Sequence, residues 1–158
     1  MVLLPKISFG GASAIVTSLG LIVGFAAAHT PRPTVMTGLL IFALADNLTD
    51  ALSIHIYQES ERLEGRRALE ATIGNFMTRL GICGTFVLFV GALPEAYAVG
   101  ASLVWGTALL SGLTWLVARN RGANASAEIC KHLAVALAVI VVSRAIGTAI
   151  LGLSFAEL

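Results

Sequence analysis

Charge is scarce in this chain. Only 12% of its 158 residues are Asp, Glu, Lys or Arg, about half the share usual in a soluble domain. The chain is 57% hydrophobic, with a mean hydropathy of +0.88. This balance excludes a soluble globular protein and points to one integral membrane domain over residues 1–158. Cysteine is also sparse. Cys83 and Cys130 show neither zinc-ligand spacing nor a disulfide framework, so both read as free thiols. No basic stripe for nucleic acid and no Ser/His/Asp pattern is present. "GASAIVTSLG" has no strand before it, which rules out a phosphate loop. An enzyme and a bound cofactor are not expected.

Long apolar runs are abundant instead. Five are long enough to cross a bilayer, at roughly 20 residues each: 10–29, 35–57, 71–93, 96–118 and 131–153. "HTPRP" (29–33), Pro94 and "RNRGANASAE" (119–128) punctuate them. The first run is too long for the apolar core of a signal peptide and reads as a true span. The expected fold is therefore all-α with five transmembrane helices. Lys6, Arg62, Arg66, Arg67, Arg119, Arg121 and Lys131 would lie on one face and only Arg32 on the other. Positive residues favour the cytoplasm, so the N-terminus is expected there and the C-terminus outside.

The second span is the unusual one. "ALADNLTDALSIHIYQESE" (43–61) places Asp46 and Asp50 where lipid is expected. At 100° per residue, Asp46, Thr49, Asp50, Ser53 and Tyr57 form one stripe, flanked by Asn47. Counted along the span, Asp46 falls near its centre. An acid at that depth costs at least about 2.5 kcal/mol facing lipid. The stripe must face a bundle interior, a dimer seam or a water-filled path. Arg79 in span three and Arg144 near the middle of span five are the candidate charge partners. Such a network is either architectural or a cation or proton site with arginines as displaceable partners. Glu59, Glu61 and Glu64 follow span two, as a salt-bridged extension or a cation-attracting vestibule. His55 reads as an interfacial residue. In span one, Ser13, Thr17, Gly20 and Gly24 make a small-residue face suited to close helix packing, expected here to hold a dimer together.

Four stretches resemble the vacuolar iron transporter family. "GGASAIVTSLGLIVGF" (10–25) resembles its opening span, and the second span is similar to its "Ala-Glu … Gly-Ala-Ile-Ser-Met" segment. "VGALP" (90–94) and "SRAIGTAIL" (143–151) resemble the ends of its third and fifth. The resemblance implies a homodimer of five-span protomers that moves Fe²⁺ or Mn²⁺ out of the cytosol in exchange for protons. The path would run between protomers, lined by spans one and two. It places Asp46 at a family carboxylate and Ser53 at a family serine. Ile54 stands at the family's metal-binding methionine, and Ser13 or Ala14 at its span-one aspartate. Gln58 or Glu59 stands near its late glutamate. Only about 14 residues separate spans two and three, so this would be a short member without the family's cytosolic metal-binding domain.

The implied cation site is therefore rich in hard oxygen donors: Asp46, Asp50, Asn47, Ser53, Ser13 and Thr17. Arg144 and Arg79 would keep the acids charged when it is empty. Such donors suit Mn²⁺, Mg²⁺ or Ca²⁺ as well as Fe²⁺. The divalent ion would be substrate, with lipid, protons and a second copy as the partners, in the plasma (inner) membrane of a prokaryote. The alternatives are a non-transporting membrane scaffold on the same fold, or a carrier of another small ion with a charge-balanced Asp/Arg core.

Overall fold

The computed structural model describes residues 3–60 and 65–156, with side chains described for 10–53, 56–57 and 72–153. All the regular structure among these is helical: α1 (Leu3–Ala27), α2 (Arg32–Ser60), α3 (Gly65–Ala92), α4 (Glu95–Asn120) and α5 (Ala125–Ala156). Each holds a window long and apolar enough to cross a membrane. With 1.5 Å of rise per residue, even the 25-residue α1 exceeds a hydrocarbon core of about 30 Å.

The turns explain where the helices stop. After α1, Thr30 N–H bonds Phe25 O at 3.0 Å and His29 N–H bonds Ala26 O at 3.1 Å. This is a Schellman cap, with His29 in the left-handed region at φ 52°. Gly122 (φ 65°) closes α4 the same way, with Ala123 N–H on Ala118 O. Asn124 then caps α5, its side-chain oxygen accepting from Ala127 N–H. Pro94 precedes α4, as its missing N–H and fixed φ favour.

α1 is the centre of the bundle. It packs against α3, α4 and α5, while α2 packs mainly on α3. Of its apolar window 44% is buried, against 11% for α5. Ile15, Leu19, Leu39, Phe86, Val90 and Leu110 form the main core. A smaller cluster of Ala14, Ala43 and Cys83 joins α1, α2 and α3. The buried Ser18 hydroxyl lies 3.6 Å from the Cys83 thiol, which is free like Cys130.

The glycine face of α1 is used inside the protomer. A Cβ on Gly20 would meet Ser143 and Val139, and one on Gly24 would meet the Ser143 backbone. A Cβ on Gly147 would land on the Gly24 carbonyl oxygen. Gly20 and Gly24 therefore build the α1–α5 seam rather than the dimer contact expected from sequence. Their closeness is spent on a neighbouring helix of the same chain.

Gly147→Ala should lower stability by about 1–3 kcal/mol, because its methyl meets backbone that cannot rotate away. Gly152→Ala, in open space, should be near neutral. Denaturation in detergent measures both. Equal stability of the two variants would refute the described seam.

Candidate functional site

Asp46 and Asp50 are four residues apart on α2, so one face of the helix presents both. Both close on Arg79 of α3. Asp46 accepts a hydrogen bond from the guanidinium. Asp50 makes an ion-pair contact to another guanidinium nitrogen, without hydrogen-bond alignment. Arg79 is 1% exposed, whereas the carboxylates keep 40% and 33% of their surface open. The cation is thus inside the bundle and the acids stand at its edge. Two carboxylates share one guanidinium, so with both acids ionised the triad carries one unbalanced negative charge.

Two buried amides lie beside it. Asn47 follows Asp46 and is 1% exposed, and Asn75 sits one turn before Arg79 at 2%. Among the described residues the side-chain oxygen and nitrogen of both have no hydrogen-bond partner, which is costly in a low-dielectric interior. Gly10 of α1 closes the third side. A Cβ there would collide with Asn75 Oδ1 and press on the Arg79 stem. Gly10 is what lets α1 approach this polar cluster. Asn75 and Gly10 were not singled out from sequence. The i,i+4 spacing of Asn75 and Arg79 was a usable signal for the first. Gly10 had no local one.

Ser13 and Thr17 are half-buried on α1. By helical spacing Ser13 falls on the α5-facing side with Gly20 and Gly24, and Thr17 lies between that side and Ala14, which faces α2 and α3. α2 and α5 make no substantial contact with each other, which leaves this arc of α1 partly uncovered. Thr49 and Ser53 are exposed and donate to Ala45 O and Thr49 O of their own helix. Ser53 stays on the carboxylate face but forms no bond to the triad. The side chains of Ile54, His55, Gln58 and Glu59, together with Glu61 and Glu64, lie outside the described residues.

Arg144 is not a partner of the acids. It is exposed on α5 and forms no ion pair among the described residues. The α1–α5 seam sets its level, near residue 23 of α1, while Arg79 touches Gly10. That is about three and a half helical turns of separation along the bundle. Counting along α5 had put Arg144 and Asp46 at one depth, but α5 is the longest helix, at 32 residues, and sits offset. Asp46 is also off-centre. It lies seven residues, about 10 Å, from Ser53, where the apolar window of α2 ends.

Among the described residues, no three His, Cys, Asp or Glu side chains cluster as a metal site. A cation here would be held by the two carboxylates, amide and hydroxyl oxygens, or groups from a second copy. No protein-family model, curated protein or solved structure matches the chain.

Asp46→Asn with Asp50→Asn leaves the buried guanidinium without a counter-charge. Stability should fall by about 3–5 kcal/mol. Adding Arg79→Met should restore most of it, while Arg144→Gln in its place should restore none. Rescue by Arg144→Gln would reverse the pairing.

Proposed function

We propose that the protein is a membrane carrier for a cation, with the Asp46–Arg79–Asp50 triad as its loading site. The observation that supports this best is charge imbalance. Two half-open carboxylates share one buried guanidinium, inside a helix window otherwise suited to lipid. A structural ion pair needs one acid, and a second one adds only a charge to be neutralised. A proton brings the triad to neutrality. A divalent cation can take both carboxylates when Arg79 is released from them. The unpartnered amide oxygens of Asn47 and Asn75 are the nearby acceptors for its N–H groups. Binding and release then become an exchange of one cation for another on the same two acids.

The divalent-metal class, Fe²⁺ or Mn²⁺ against protons, comes from the resemblance to vacuolar iron transporters. The same resemblance supplies the homodimer. The partly uncovered arc of α1 between α2 and α5, where Thr17 lies, supports it, since it leaves a face of α1 for a second copy. The excess of Lys and Arg at one end supports a cytoplasmic N-terminus, which makes the direction of transport outward. A second reading is a membrane scaffold in which the triad only locks α2 to α3. Complete burial of Arg79, with both acids closed on it, favours that reading.

Flux in proteoliposomes separates the two. Wild-type protein should carry Mn²⁺ or Fe²⁺ with opposite movement of protons. Asp50→Asn should abolish it while the protein stays folded, because Asp46 alone still balances Arg79. Absence of flux for every cation tested, in folded wild-type protein, would leave the scaffold reading. Full flux in Asp50→Asn would remove the triad from the mechanism.

A further inference from the structure

We infer that the groove between α1, α3 and α4 holds one acyl chain of an anionic phospholipid, whose headgroup phosphate meets Arg119. None of the triad residues lines the groove, although Gly11 and Thr78, next in the chain to Gly10 and Arg79, do. It has a volume of about 400 Å³, and its walls include Ile15, Ile82, Ala108, Gly112 and Leu116. Trp105, held by a 3.0 Å hydrogen bond to the Thr85 hydroxyl and stacked on Phe89, forms its far end. From Trp105 to Leu116 the wall runs eleven residues of α4, about 16 Å. That is a slot for an extended hydrocarbon chain rather than for a compact solute. Gly112 keeps it open, since a Cβ there would meet nothing within 4 Å.

The slot has one charged end. Arg119 lies seven residues after Gly112 and so on nearly the same face of α4. Its guanidinium sits over the Trp115 ring, 5.2 Å from the centroid. This aims it along the helix surface at the level where aromatic and basic residues meet headgroups. Arg121 is exposed just beyond. The nearest described acid, Glu128, is engaged by Lys131 at 2.9 Å. Arg119 and Arg121 form no ion pair among the described residues, which leaves a basic pair above an apolar slot. That combination matches a phosphate joined to an acyl chain.

A second copy fits this face poorly. Protomers related by a two-fold axis along the membrane normal present the same depth to each other. Arg119 would then meet the partner's basic end, and like charges repel.

The test uses detergent-purified protein with equimolar phosphatidylglycerol and phosphatidylcholine, and native mass spectrometry to count retained lipid. Wild-type protein should retain phosphatidylglycerol at least about fivefold over phosphatidylcholine. Arg119→Gln with Arg121→Gln should bring the ratio to about one without reducing total lipid. Gly112→Leu should reduce retention of both, because it fills the slot. Equal retention by wild-type protein would overturn the proposal. So would an undiminished preference in the arginine variant. So would unchanged lipid in Gly112→Leu, including the case where that variant changes only the oligomeric state.

Discussion

A guanidinium buried among apolar helices has to be neutralised, and this requirement organises one end of the molecule. Arg79 is 1% exposed. Removing its counter-charges would leave an uncompensated ion inside the bundle, at about 3–5 kcal/mol. α2 must therefore dock on α3 in the register that brings Asp46 and Asp50 to it. The polar cluster forms around that docking, with Asn47 and Asn75 buried beside it and Gly10 of α1 close to Asn75 and Arg79. The imbalance of two acids to one base follows from the same contact, and the proposed cation exchange is built on it.

The opposite end is organised by backbone proximity instead. Gly20, Gly24 and Gly147 let α1 and α5 approach until only glycine fits at the crossing. In lipid there is little hydrophobic gain in pressing two apolar helices together, so close packing of this kind carries the association. α1 is held by α5 through this seam, by α3 through the Ala14–Cys83 contacts and by α4 through Leu19 against Gly106. It is a fixed post against which α2 stands on one side. α2 is thus tied to the other helices chiefly through α3 and the triad. α4 meanwhile packs a mostly small-residue face inward, from Ala98 to Ala118, and leaves Ala108 and Gly112 exposed in the slot assigned to lipid.

The five helices were legible from sequence because hydrocarbon thickness fixes a minimum apolar length, and Pro and polar turns mark the ends. The acidic stripe on α2 was legible for a similarly local reason, since residues four apart share a helix face. Between helices the reading was only half right: Arg79 was named as a charge partner and holds both acids, whereas Arg144 was named with it and does not. Arg144 and Arg79 were equivalent candidates along the chain. The glycine face of α1 gave no sign of whether its partner lay in the same protomer or another.

The sequence by itself determined that this is a five-helix membrane-type chain with two carboxylates on one face of its second helix. Composition and period settle those matters within single segments. Only the tertiary structure decided that Arg79 holds both acids, that Arg144 stands about three and a half turns away, and that Gly24 meets Gly147. The physical reason is register. Each helix can slide along its neighbour by a turn with little change in its own pattern. The offset is set jointly by small-residue contacts and a buried charge, and those belong to pairs of helices rather than to any one segment.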